Sequence, residues 1–310
     1  MSYALGIDLG GSSVKAVLVR SSGETVQRER LDFDAARPME WAAGIRKLVE
    51  RLSARAGGVP VALGLAAPGL AAADGRSIAH MPGRLEGLTN LDWTGYLARA
   101  HPVPVLNDAH AALLGERWLG AARDLNNVIM LTLGTGVGGA AMVDGRLLRG
   151  HLGRAGHLGH ACVDLHGPPD ICGMPGSLEV AIGNCTIQER SAGRFATTHA
   201  LIAAAEAGDR AATALWLEAV RALACAVASF VNILDPEAVI LGGGIARSGA
   251  TLSGPLGRFL DRFEWRPGGR AVRLLPAQLG EFAGAFGAAG NGLQAAVLPH
   301  EGGGGAARQE

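Results

Sequence analysis

The chain has 310 residues, nearly half of them hydrophobic, and its 28 Lys plus Arg balance 28 Asp plus Glu. That length suits two domains, and the neutral balance offers no general attraction for nucleic acid or an anionic membrane. No apolar run reaches the roughly 20 residues of a bilayer span. Four scattered cysteines do not read as a disulfide framework, and the start MSYALGIDLGG lacks the charged and apolar regions of a signal peptide. A cytoplasmic protein is expected.

In chain order, YALGIDLGGSSVKAVLV reads as strand, glycine turn, strand, with apolar runs flanking Gly10, Gly11 and Ser12. Residues 39–55 carry apolar positions at helical spacing. VPVALGLAAPGL (59–70) is a strand entering a Pro-Gly turn. VPVLNDAHAALLGERWLG (103–120) is a short strand, then Asn107-Asp108, then a helix ending near Gly120. The switch falls where a helix start wants a short polar side chain. VIMLTLGTGVGGAAMVDGRLL repeats the strand–turn–strand layout around Gly134, Thr135 and Gly136, and Asp144-Gly145 signals a hairpin. Residues 197–234 read as helical and Ala-rich. PEAVILGGGIARSG is a strand entering Gly242, Gly243 and Gly244, and 272–293 is a strand followed by a small-residue helix. The tail, 301–310, is expected to be disordered.

Glycine turns after buried strands let backbone N–H groups approach phosphate oxygens. Each turn alone is explained better as a tight hairpin. Two of the three lie between strands and open no helix, so they fit neither a P-loop nor a dinucleotide fingerprint. Their order instead resembles the actin and hexokinase nucleotide-binding superfamily. There the first turn holds the terminal phosphates, the second closes on them, and the third approaches the adenosine. Asp8, in the first turn, suits Mg²⁺ held through water, since hard cations prefer oxygen ligands.

GIDLGGSSVKAVLV, LNDAHAALLGE, LTLGTGVGG and AGHLGH together resemble the ROK family of sugar kinases, epimerase-kinases and sugar-operon repressors, from about Leu5 to Leu293. The resemblance implies an α/β fold of two ribonuclease H-like (actin-like ATPase) domains flanking a cleft. Residues 1–118 plus 290–300 would form the smaller domain and 119–289 the larger, with chain crossings near Trp118–Asn126 and Gly287. It implies Asp108 as general base and Asn107 as a sugar contact, although the pair also suits a plain helix cap. ATP and Mg²⁺ would engage Asp8, Gly10, Gly11, Ser12, Lys15, Gly134, Thr135, Gly136, Gly243 and Gly244. Family repressors carry a DNA-binding domain before the first turn; here the first strand starts at about Tyr3, so DNA binding is not expected. A homodimer is usual in the family.

The pattern departs in three places. Where family kinases have Ala-Gly-Glu-x-Gly-His, this chain has His157, with His160 kept and Glu179 as the later sugar-contact Glu. Imidazole donates one hydrogen bond and accepts one, whereas carboxylate only accepts. His157 therefore opens the acceptor to another hexose, an amino sugar or a cyclitol. The family's zinc motif, Cys-x-Cys-Gly-x-x-Gly-Cys, falls on Asp170, Cys172 and Ser177. Cys172 and His160 survive as good ligands, Cys162 and His166 match no ligand position, and structural zinc is not expected. Asn90 is not assigned to the sugar loop. The leading reading is a glucokinase-like enzyme acting on the 6-hydroxyl of glucose. The alternatives are a kinase for a different acceptor and a non-catalytic sugar sensor.

Overall fold

The computed structural model describes residues 2–57, 61–81 and 83–297, and the tail at 301–310 lies outside them. The first half runs β1 (Tyr3–Leu9), β2 (Ser13–Arg20), β3 (Thr25–Asp32), α1 (Glu40–Arg55), β4 (Val61–Ala67), β5 (Leu70–Ala71), β6 (Ile78–His80), α2 (Trp93–Tyr96), β7 (Val105–Asn107) and α3 (Asp108–Leu119). The second runs β8 (Val128–Leu133), β9 (Val137–Val143), β10 (Arg146–Leu147), α4 (Leu178–Ile182), α5 (Ile187–Arg190), α6 (Thr198–Glu206), α7 (Arg210–Leu234), β11 (Ala238–Gly242), α8 (Ala250–Phe263), β12 (Arg273–Pro276) and α9 (Ala283–Val297).

The halves share one topology. Strand order is β3-β2-β1-β4-β7 in the first sheet and β10-β9-β8-β11-β12 in the second. In each, an antiparallel meander is extended by two parallel strands. The echo between the two glycine hairpins is thus the visible part of a repeat covering both sheets.

Alternation along the strands decides what faces what. Leu5, Ile7 and Leu9 pack with Trp41, Ile45 and Leu48 of α1. The opposite face of the first sheet carries Ala4, Val17 and Val19, which meet Ala285, Phe286 and Ala289 of α9. Asp8 shares that face with Ala4, and Lys15 shares it with Val17. In the second sheet Ile129, Leu131 and Leu133 join the core under α7 and α8. Val128 and Met130 face Ala112 and Leu113 of α3 and Ala283 of α9. Helices α3 and α9 therefore lie between the sheets. They approach so closely that a Cβ on Gly287 would collide with the Ala111 carbonyl.

Several elements differ from the sequence reading. The stretch 197–234 is two helices, because Gly208 takes φ 90° and Asp209 starts α7 by accepting the Ala212 N–H at 3.0 Å. Strand β3 and helix α8 were not anticipated. β3 is a charged edge strand, and α8 contains Pro255 yet buries Leu252, Leu256 and Leu260. Helix α7 is long and apolar enough to cross a membrane by length and composition, which the sequence reading had excluded. It buries Trp216, Val220, Leu223, Val227 and Phe230 in the second core. Near the expected return at Gly287, Ala285 already packs on the first sheet. Glu116 of α3, fully buried, holds both crossings. It accepts the N–H of Ala121 at 2.7 Å, Gln278 at 2.9 Å and Leu279 at 2.8 Å.

Candidate active site

Between the sheets a cavity of about 190 Å³ is lined by Asp8, Gly10, Lys15, Asp108, Thr132, Gly243, Glu281 and Gly284, among others. A larger groove of about 580 Å³ lies between α7 and the 163–177 loop, and none of the expected ATP or acceptor residues lines it. Convergence of chemistry, not size, marks the smaller cavity as the site.

Asp8 and Lys15 are partners across the β1–β2 ladder, which places amine and carboxylate on one face. Burial pushes the Asp8 carboxyl up to about 7; Lys15 opposes the shift and the nearby Asp108 carboxylate adds to it. The first turn of α9 closes over Asp8, so a Cβ at Gly284 would sit 2.7 Å from its carboxyl carbon. Asp108 begins α3. Burial raises its pKa, against the N–H of Ala109 at 2.8 Å, the Asn107 side chain, its own N–H and Lys15. Two carboxylates, one amine and the Thr132 hydroxyl make an oxygen-rich pocket. Such donors fit Mg²⁺, whose charge would offset the burial, and to a lesser degree the Asp108 repulsion, that raise Asp8.

Asn107, expected to contact sugar, also uses its amide locally. Its Oδ1 accepts the N–H of Ala109 at 2.9 Å and His110 at 3.2 Å, and Nδ2 donates to the Gly69 carbonyl at 3.0 Å. It caps α3 and braces Asp108. Glu179 likewise accepts the Val137 N–H at 2.9 Å, beneath the second turn. A Cβ on Gly136 would collide with that carboxylate. The carbonyls of Gly134 and Thr135 are held by the N–H of Asn184 at 3.0 Å and Cys185 at 2.8 Å. Gly11, Ser12 and Thr135 are exposed, and the Gly244 carbonyl meets His199 at 3.2 Å.

His157 lies between two other imidazoles, edge-on to His110 at 5.9 Å and stacked on His160 at 6.4 Å. Burial and the neighbouring His160 lower its pKa, so it is neutral near pH 7. Its Nε2 is buried and has no hydrogen-bond partner among the described residues. His110 is pushed down to about 4, mainly by burial, and its Nε2 lies 2.9 Å from the Ala155 carbonyl, which makes that nitrogen the donor.

His160, expected as a sugar contact, also has partners within the loop. Its Nδ1 lies 2.7 Å from Asp170 and its Nε2 lies 3.6 Å from the Cys172 sulfur. Asp170 therefore joins Cys172 and His160, with one ligand-type atom from each lying within 4.8 Å of the others. Burial would raise the Asp170 carboxyl, but hydrogen bonds from His160, Ser177, Met174 and Cys172 bring it below the usual range.

Sequence reasoning missed Thr132, Glu281, His110, and Arg84, whose guanidinium lies beside Gly11. Thr132 was discoverable by overlaying the hairpins, because it precedes Leu133-Gly134 as Asp8 precedes Leu9-Gly10. Glu281 and Arg84 had no local signal.

The chain is similar to known proteins. The chain is 33% identical over 272 residues to a glucokinase of Thermotoga maritima, covering 81% of this chain and 85% of that one. It is 31% identical over 290 residues to an N-acetylmannosamine kinase of Escherichia fergusonii, covering 92% and 96%. The crystal structure of a ROK family glucokinase from Streptomyces griseus, in complex with glucose and AMPPNP, superposes with a TM-score of 0.76 at 26% identity, covering 94% of this chain and all of that one. The family model for ROK matches residues 4–291, and with this fold of two like sheets around one cleft the chain belongs to the ROK family.

Proposed function

We propose that this ROK chain phosphorylates a hexose from ATP, with Asp108 as general base and the 6-hydroxyl of glucose as the first acceptor to test. It is an ATP-dependent sugar kinase; the acceptor and the residue roles are the proposal. One observation carries it: two carboxylates, Asp8 and Asp108, converge with Lys15 in the cavity between the glycine turns.

Phosphoryl transfer needs charge neutralisation and an oriented hydroxyl more than covalent help from the protein. Asp8 would hold Mg²⁺, which when bound offsets charge on the transferring group. Lys15 and the backbone of Gly10, Gly11, Ser12, Gly134, Thr135 and Gly136 would face phosphate oxygens, with Gly243 and Gly244 toward the adenosine. Asp108, fixed at the first position of α3 and pushed up in pKa by burial, suits proton removal from the acceptor. His157, His160 and Glu179 would form the acceptor wall. Two domains closing on substrate would exclude water from the transfer. The proposal includes a homodimer, a cytoplasmic location and no structural zinc.

A second acceptor is favoured by one feature. The buried Nε2 of His157 has no partner among the described residues, where a carboxylate would need donors. ADP release measured over a panel of glucose, mannose, their N-acetylamino forms and inositols tests both readings, in wild type and His157→Glu. Glucose-dependent release supports the first. A different acceptor, with His157→Glu shifting the profile toward glucose, supports the second. No release with any sugar removes the kinase reading.

A further inference from the structure

The 160–177 segment joins three pieces of chain: the turn bearing His160, the loop tip at 170–174, and the start of α4 at Ser177. The family resemblance places a zinc ion there, with Asp170 and Ser177 standing where cysteines would be. The donor set can be tested for fit. The Asp170 side chain is 1% exposed. Its Oδ2 takes the His160 Nδ1–H at 2.7 Å, and its Oδ1 takes the N–H of Cys172 at 2.8 Å and of Met174 at 3.0 Å. The Ser177 hydroxyl donates to the same carboxylate. A carboxylate has about four acceptor sites, and these four donors use them. Ser177 is fully buried, and its oxygen also caps α4 by accepting the Val180 N–H at 3.4 Å. Structural zinc needs four ligands in a closed tetrahedron. With Asp170 saturated and Ser177 spent on a cap, the residues do not fit it.

We propose that Asp170 replaces the metal: one buried carboxylate ties together the three segments a zinc ion would join, and positions His160. By accepting a hydrogen bond from Nδ1–H it leaves Nε2 of His160 as the acceptor, available to the Cys172 thiol or to a substrate hydroxyl. The latch also reaches the second turn. Ser177 starts the helix that carries Glu179, whose carboxylate holds the Val137 N–H. The part of the inference concerning substrate rests on His160 belonging to the acceptor wall; the part concerning metal does not.

Protein produced in zinc-supplemented cells should hold far less than one zinc per chain, and its melting temperature should not respond to chelator. Near-stoichiometric zinc overturns the proposal. Asp170→Cys combined with Ser177→Cys supplies two more thiolates beside Cys172 and His160. This variant should gain one zinc per chain and a chelator-sensitive melting temperature. In Asp170→Asn, the ¹⁵N shifts of His160 should lose the Nδ1–H tautomer signature. KM for the best acceptor of the panel should rise about tenfold, with kcat little changed, as for one lost charge-assisted hydrogen bond. Unchanged KM and unchanged His160 shifts overturn the positioning role. If Asp170→Asn does not fold, the double-cysteine variant still decides: it should fold with zinc and unfold without it, and equal stability in both conditions overturns the latch. Absence of any sugar turnover by wild type would remove the kinase reading alone, since the metal and ¹⁵N measurements do not depend on activity.

Discussion

The β1–β2 and β8–β9 hairpins are built alike and charged differently. Each ends its first strand in Leu-Gly, and each points the residue before that Leu into the layer between the sheets. In the first hairpin that residue is Asp8, paired across the ladder with Lys15; in the second it is Thr132, paired with Gly138. The first alone sets a carboxylate opposite an amine at this position, and the amine's charge is felt by Asp8. The second is shaped from below by Glu179 and from the side by the Asn184–Cys185 backbone. The repeat thus duplicated a cradle, while the charges of chemistry gathered on the first half, next to Asp108.

The largest expected effect tests that gathering. Asp108→Ala should lower kcat by about 10²–10⁴, the usual worth of a general base, with nucleotide affinity little changed. Turnover close to wild type would return Asp108 to a plain helix-start role.

Asp8→Asn should cost roughly 10²-fold in Mg²⁺-dependent turnover, and it has a second readout in stability. The folded Asp8 titrates at about 7 and the unfolded one near 3.8. Between those values the native state keeps a proton that the unfolded chain has lost, so ligand-free stability falls as pH rises from about 4 to about 7. His110 acts the other way. Its folded pKa of about 4 lies below its unfolded 6.5, so its contribution is lost as pH falls through that window. The His110 contribution is common to wild type and Asp8→Asn and cancels in their difference. Urea unfolding should therefore show Asp8→Asn more stable than wild type by over about 1 kcal/mol at pH 8, and nearly equal near pH 4. Equal stability at both pH values would mean that Asp8 is not held against its charge.

These residues differ in how far the sequence displayed them. Asp8 was legible as an acid beside a glycine turn, whereas Asp108 read alone suited a helix cap and became a candidate base only through the family resemblance. Thr132 was not legible, since threonine is ordinary in a strand. Glu116 sits in GERWL and reads as the exposed acid of a helix; its three N–H partners come from two chain crossings, two of them over 160 residues away. Asp170 read only as the residue at a cysteine position of the zinc motif, because motif comparison scores ligands, whereas its surroundings depend on four donors converging in space. The repeated sheets were visible through their hairpins, but β3 was hidden by its charges and α8 by Pro255.

The second turn can be disturbed without touching a charge. At Gly136 an added methyl meets the Glu179 carboxylate, so Gly136→Ala must tilt the turn or break the Glu179–Val137 bond. KM for ATP should rise about tenfold, more than kcat falls, because backbone donors to phosphate are displaced while Asp108 is not. A kcat loss as large as that of Asp108→Ala would mean that the second hairpin also organises the acceptor.

The smallest expected effect is the most discriminating. Thr132 occupies the position of Asp8 in the repeat and lines the same cavity. Thr132→Val keeps the branched shape that suits strand β8 and removes only the hydroxyl. If the charge asymmetry between the hairpins is real, the variant loses one neutral hydrogen-bonding group at the rim of a metal site held by carboxylate. Catalytic efficiency should then fall less than about threefold, within the net worth of one neutral hydrogen bond, and the Mg²⁺ dependence should stay where it was. A shift of the Mg²⁺ requirement matching that of Asp8→Asn would place the cation between the two hairpins. The repeat would then have kept a shared metal site, and the absence of charge at Thr132 would be a change of ligand type, with the hydroxyl supplying the oxygen that Asp8 supplies on the other side.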